Sequence, residues 1–310
     1  MTDSTGDMDL SATYADKTST RPDSLTMIGF GVLILLVSAN VIAIKFINQE
    51  LPPFWGAGTR FAFASALFYG VTLFQRIKFP RGRALVGALL FGTLQFGFGF
   101  ALGYWALLKV PANLASVIMA TVPLFTLLFA FVARLESIRV RGLLGTLIAI
   151  AGTAILFGTG LGKDVPPVYL LAAFGTVVCF SLALVVVKLF PQIHPAAMNT
   201  VGMFTGTLIL LSLSLIYGEN AVIPQKMTTW IAQIYIIVPG SMGVFGLILF
   251  LLRRWTATGV SYQAVLSPIA TIGLSAWLLG EPLTGGLFLG CVFVIAGVYV
   301  GVLAPDRNKT

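Results

Sequence analysis

Apolar runs nearly free of charge, each about the length of a bilayer-crossing helix, follow one another along almost the whole chain, and short polar breaks separate them. Crossing the hydrocarbon core takes about 20 apolar residues. Ten runs approach or reach that length: Leu25–Ile47, Pro53–Phe74, Ala84–Leu107, Pro111–Ala133, Val140–Phe157, Pro167–Val187, Ala197–Tyr217, Trp230–Leu252, Gly259–Leu279 and Thr284–Leu303. None alternates polar with apolar over about ten residues, as a transmembrane barrel strand would. The pattern predicts an all-α polytopic membrane protein.

Composition agrees. Hydrophobic residues make up 57% of the 310 residues and charged residues only 10%, whereas a soluble domain carries about 25% charged. Too little charge exists to cover a water-exposed surface, which argues against a soluble enzyme. Two cysteines and one histidine exclude a disulfide scaffold and leave little for zinc, so no metal or cofactor is expected. Residues 1–24 are polar, with Asp3, Asp7, Asp9, Asp16 and Asp23 against two basic residues, unlike a signal peptide. They read as a disordered cytoplasmic tail, with residues 304–310 as a second cytoplasmic tail.

Lys and Arg set the orientation. With the N-terminus inside, fourteen basic residues fall in cytoplasmic segments and three (Lys109, Lys163, Lys226) on the other side. Lys45 and Arg60 lie within runs. Both termini are therefore expected in the cytoplasm of a cell inner membrane. The net charge of +8 is explained by basic loops facing anionic lipid, without nucleic acid.

The chain also repeats itself. An offset of 145 residues pairs Ala112 with Ala257, Ser116 with Ser261, Pro123 with Pro268, Thr126 with Thr271, Glu136 with Glu281 and Gly145 with Gly290. Earlier in each half an offset of 143 pairs Ser38 with Ser181, Lys45 with Lys188, Gln49 with Gln192 and Pro52 with Pro195. These registers predict two five-helix repeats, residues 25–158 and 159–303. Because five is odd, the second must enter the membrane from the opposite side. Inverted repeats suit alternating access, since exchanging the conformations of the halves turns the cavity from one side to the other.

Candidate site residues lie near mid-membrane. Pro123 and Pro268 predict helix breaks that free carbonyls and face protein or a cavity, and Pro239 predicts a third. Polar side chains at similar depth are Ser38, Asn40, Gln95, Thr121, Ser181, Ser241, Ser267 and Thr271. Ser and Thr often bond their own helix backbone; Asn40 and Gln95 are costlier to bury unpaired and point more directly to a substrate. Arg60 sits about 10 Å below the outer end of its run. It either ties helices together or presents a positive charge to a substrate carboxylate. No Asp or Glu falls in the middle of a run, so a carboxylate proton relay and a cationic cargo are not expected. Tyr104, Trp105, Tyr262 and Trp277 fit interfacial belts. Glu136 and Glu281 fit the N-termini of the helices that follow them. The pairs Gly286/Gly290 and Gly297/Gly301 permit close helix approach within a monomer or a homodimer. No nucleophile or metal constellation is present.

Several strings resemble the drug/metabolite transporter superfamily, specifically EamA-type members, over residues 25–303. They are Asn40-Val-Ile-Ala-Ile-Lys45, Leu51-Pro52-Pro53 with Ala57-Gly58-Thr59-Arg60-Phe61, Pro111-Ala-Asn-Leu-Ala-Ser116, and Leu279-Gly280-Glu281-Pro282 before a glycine-rich run. The family's frequent Trp-Gly pair reads Val37-Ser38 here, with Phe180 at the corresponding place in the second half. The resemblance implies export of small metabolites, often amino acids and relatives, through a cavity between the halves. The expectation is thus a secondary transporter of neutral, zwitterionic or anionic metabolites. A passive channel or a non-transporting membrane receptor are the alternatives.

Overall fold

The computed structural model describes residues 22–47, 49–110, 115, 118–137, 140–157, 165–279 and 285–300, and these are helices, turns and loops without strands. The side chains of Lys45, Trp277 and Cys291, and Glu281 entirely, lie outside the described residues. The helices are α1 (Ser24–Ile47), α2 (Pro53–Phe74), α3 (Arg83–Ala106), α4 (Val122–Val132), α5 (Val140–Phe157), α6 (Pro167–Leu189), α7 (Pro195–Ile216), α8 (Met227–Arg254), α9 (Ala257–Ser261), α10 (Gln263–Leu279) and α11 (Gly285–Val298). Five stretches are long and apolar enough to cross a bilayer: Ser24–Ile44, Arg83–Ala106, Pro167–Leu189, Pro195–Ile216 and Met227–Arg254. Val122–Val132 and Val140–Gly152 are apolar but shorter. Large apolar side chains face outward, among them Phe74 at 91% and Leu215 at 81% exposure. A water-facing surface does not tolerate such a shell, and lipid does.

Local chemistry sets the helix ends. Asp23 accepts from the Thr26 hydroxyl, pairs with Arg254 at 2.5 Å and accepts from the Thr26 amide at 3.0 Å; in that order these partners hold its carboxyl down at about 2. Pro53, Pro167 and Pro195 occupy first-turn positions, where a missing N–H costs nothing. Loops of one half cap helices of the other. Glu219 accepts from the Phe54 and Trp55 amides at 3.2 and 2.7 Å, at the start of α2. Glu50 accepts from the Gln225 and Lys226 amides at 3.2 and 3.4 Å, at the start of α8. A hydrogen bond from Thr229, then these amides, lower its pKa. Glu136 also reaches across: its carboxylate accepts from the Thr258 amide at 3.3 Å and so caps α9. An amide at a helix start has no partner within its own helix, which suits it to a carboxylate.

Glycine permits the closest crossings. A side chain on Gly92 of α3 would meet Gly202 of α7 backbone to backbone, with its Cβ 2.5 Å from the Gly202 carbonyl oxygen. Gly297 of α11 lies equally close to Gly145 and Ala149 of α5. That glycine therefore serves a contact within the monomer. At the centre, Phe61, Phe96, Phe100 and Phe245 meet edge to face with centroids 4.6–6.3 Å apart, each such pair adding about 0.5–1.5 kcal/mol.

Both α3 and α8 widen into π-helix at mid-length, over Thr93–Gly99 and Val238–Gly243. The two stretches begin 145 residues apart, the same offset that aligns the later part of each half.

Candidate functional site

The π stretch of α8 organises a polar cluster. Pro239 supplies no amide, and Ser241 Oγ reaches back five residues to donate to the Ile236 carbonyl at 2.8 Å. Gly240 has no side chain where a Cβ would sit 2.1 Å from Asn40 Oδ1, so α1 can bring its amide against the backbone. Asn40 Nδ2 donates to the Gly240 carbonyl at 3.0 Å. Arg60 of α2 donates to the same carbonyl through Nη2 at 3.0 Å, and through Nε to Ser241 Oγ at 2.8 Å. Its guanidinium lies over the Phe61 and Phe100 rings at 4.9 and 5.7 Å and beside the Tyr104 phenol. Arg60 is only 2% exposed. Four residues singled out by sequence, Asn40, Arg60, Pro239 and Ser241, thus converge from three helices of both halves.

The others are placed differently. Ser38 Oγ lies 2.7 Å from the Ile34 carbonyl and 2.9 Å from that of Ser267, tying α1 to α10. Ser267 itself donates to Gln263 at 2.6 Å. Ser181 of α6 donates to the Val122 carbonyl at 3.2 Å, and Thr121 to that of Ile118 at 2.6 Å. Pro123 sits in the first turn of α4, whereas Pro268 lies inside α10, which continues through it. Gln95 is buried in the π stretch of α3, and Thr271 is half-buried on α10. Neither makes a side-chain hydrogen bond among the described residues.

Beside the cluster lies a cavity of about 180 Å³ with apolar walls, including Phe100, Tyr104, Met119, Ala173, Thr176 and Phe180. It sits toward the ends where α1 and α3 finish and α6 begins. Gly99 and Gly103 open it, since Cβ atoms there would approach Phe180 at 2.4 Å and Thr176 at 3.4 Å. None of the polar residues chosen from sequence lines it. A search for polar groups at mid-membrane misses a chamber walled by aromatic and small residues. The pattern Gly99-Phe100 and Gly103-Tyr104, repeating after one helical turn, was the available signal. Phe100 and Tyr104 belong to both sites, walling the cavity while touching Arg60.

The far end of the bundle is packed. Trp255 and Tyr262 are buried, Phe30 meets Trp255 edge-on at 5.2 Å, and Tyr262 pairs with Thr146 at 2.8 Å. Lys188 Nζ donates to the Trp255 carbonyl at 2.7 Å.

A model of the EamA-like transporter family matches the chain twice, over residues 25–158 and 167–303. The chain belongs to the EamA-like transporter family. Among EamA-type relatives, an uncharacterized inner membrane transporter of Escherichia coli K12, YedA, is 28% identical over 297 residues, covering 89% of this chain and 93% of its own. A probable amino-acid metabolite efflux pump of the same strain is 27% identical over 296 residues, covering 90% and 96%. A solved crystal structure shares the fold with TM-score 0.79 at 22% identity, covering 93% of this chain and 99% of that one.

Proposed function

We propose that this EamA-like protein is a secondary transporter that exports small amino-acid-like metabolites, neutral, zwitterionic or anionic, across the inner membrane. In this reading ten helices form two inverted five-helix repeats with both termini in the cytoplasm, and alternating access moves the cavity from one side to the other. The single observation that carries it is the pair of π stretches, 145 residues apart in α3 and α8. One local distortion recurs at matching positions of both halves, where each helix borders the central cluster. A π turn is a place where a helix changes bend at low cost, and such turns gather at functional sites. Two hinges of one design, operating alternately, are what an inverted repeat needs.

Further support comes from the one-sided cavity and the packed opposite end, which together resemble one of the two end states. Phe100, Tyr104, Thr176 and Phe180 would touch cargo in this state, with Asn40, Arg60, Ser241 and Gln95 deeper. Ser38, Thr121, Ser181 and Ser267 spend their hydroxyls on helix carbonyls and act as ties, and Thr271 stays a cargo candidate.

Reconstituted protein in liposomes preloaded with unlabelled amino acids or related acids should take up the labelled compound by saturable counterflow. Unitary currents, or no counterflow across a broad metabolite panel, would contradict the proposal.

A further inference from the structure

The guanidinium of Arg60 is a cation held out of water with no carboxylate partner among the described residues. Its contacts are a hydroxyl, one shared carbonyl, two ring faces and a phenol. Partial negative charges of this kind hold a cation in place without neutralising it, so a full anion arriving nearby gains strongly in the low local dielectric.

A purely structural role explains this poorly. The 143-residue offset that aligns the early part of the two halves sets Met203 of α7 opposite Arg60 of α2, and Met203 is fully buried. The corresponding helix therefore packs with a neutral side chain at this depth. Nor does the cluster depend on Arg60 for satisfaction. The Gly240 carbonyl also accepts from Asn40, and Ser241 also donates to Ile236.

Phe100 and Tyr104 both line the cavity and both neighbour the guanidinium, and of the two only Tyr104 presents a polar group to it. Rotation of one side chain would expose Arg60 to a molecule already seated among Phe100, Met119 and Phe180.

We propose that Arg60 is the carboxylate-binding residue of the cavity, that Tyr104 is its displaceable cover, and that the cargo is a small monocarboxylate with an apolar body. This deepens the transporter reading and rests on it for the word cargo, but the binding site stands or falls separately. In binding, the substrate carboxylate takes the place of the phenol at the guanidinium while its apolar part fills the aromatic walls; no covalent step is involved.

A matched probe series tests it on purified full-length protein: phenylacetate, phenylacetamide and 2-phenylethylammonium, with affinity read by thermal shift and calorimetry. Phenylacetate should bind at least tenfold more tightly than the other two. Tyr104→Phe keeps the ring and removes the competing phenol, so it should tighten phenylacetate about threefold and leave phenylacetamide unchanged. Arg60→Met should abolish the preference for the acid. Equal binding of acid and amide to the unmodified protein would overturn the proposal, as would a preference for the acid that survives Arg60→Met. If Arg60→Met does not fold, Tyr104→Phe decides: unchanged or weaker binding of the acid contradicts the cover role and the site with it. Acid-selective binding without counterflow of any compound would leave this site intact and remove the transport reading.

Discussion

The crossing of α3 and α7 offers a comparison in which one contact is probed from both sides. Replacing Gly92 by alanine puts a methyl 2.5 Å from the Gly202 carbonyl oxygen and 2.6 Å from its Cα, both backbone atoms. Restoring a separation of 3.4 Å requires the helices to part by about 0.9 Å. An opening of that size forfeits about a quarter to a half of the attraction at each contact, roughly 0.1–0.2 kcal/mol apiece before the loss. Summed along the crossing, the cost falls in the range of about 1–3 kcal/mol for overpacking. Gly202→Ala approaches the same crossing differently. Its methyl meets the ring edges of Phe91 and Phe96 at 3.1 and 3.3 Å and Gly92 Cα at 3.4 Å, so rings that pivot by a few tenths of an ångström relieve it. The helix-propensity gain of Gly→Ala is common to both and cancels in the difference. Thermal unfolding in detergent should therefore place Gly92→Ala about 2–12 °C below Gly202→Ala, using about 2–4 °C per kcal/mol for a chain of this class. Equal melting of the two, or the reverse order, would refute the idea that backbone contact at Gly92 sets this crossing.

Two further outcomes follow from local chemistry. Burial, and then repulsion from Arg253, lower the pKa of His194, whose Nδ1 accepts from the Ala196 amide at 3.3 Å as a cap of α7. Its contribution to stability is complete above its ordinary value near 6.5 and is lost as pH falls through the lowered folded value. The protection factors of amides at the start of α7 should fall over that acid range, and His194→Asn should remove that fall while keeping a cap. At the packed end, Thr146 Oγ1 bonds both Tyr262 at 2.8 Å and the Gly142 carbonyl at 2.8 Å, whereas Tyr262 otherwise has only a 3.5 Å contact to Gly142. Tyr262→Phe should cost about 1 kcal/mol or less and Thr146→Val about 1–3 kcal/mol in detergent-unfolding assays, since only the second strands a buried polar group.

The fold class and the family were legible because they rest on signals that survive without tertiary context. Run length predicted Pro53–Phe74 and Val140–Phe157 at the bounds their helices have, and α6 differs only at its last residues. The strings around Asn40 and Arg60 carried the family. What the run lengths could not supply was the internal texture of the helices. Prolines at matching positions suggested breaks of equal kind, yet Pro123 starts a helix and Pro268 is carried within one, because the surroundings decide whether a lost hydrogen bond bends the chain. The π stretch at Thr93–Gly99 has no proline to announce it. The site was half legible. Polarity singled out Asn40, Arg60 and Ser241, whose partners come from distant helices. It passed over Phe100, Tyr104 and Phe180, whose importance lies in the space they leave and not in any group they carry. Glu136 caps α9 of the other half through an amide 122 residues away. A carboxylate responds to the nearest free amides in space, and sequence orders them only along the chain.

Opposite insertion of the two halves is the claim on which hinge pairing and alternating access both depend. Lys78, between α2 and α3, and Ala221, between α7 and α8, correspond at the 143-residue offset. With Cys179 and Cys291 replaced, single cysteines at these two positions can be probed in intact cells with a membrane-impermeant thiol reagent. Opposite insertion predicts that Ala221→Cys is labelled from outside and Lys78→Cys only after permeabilisation. Labelling of both from the same side would contradict it.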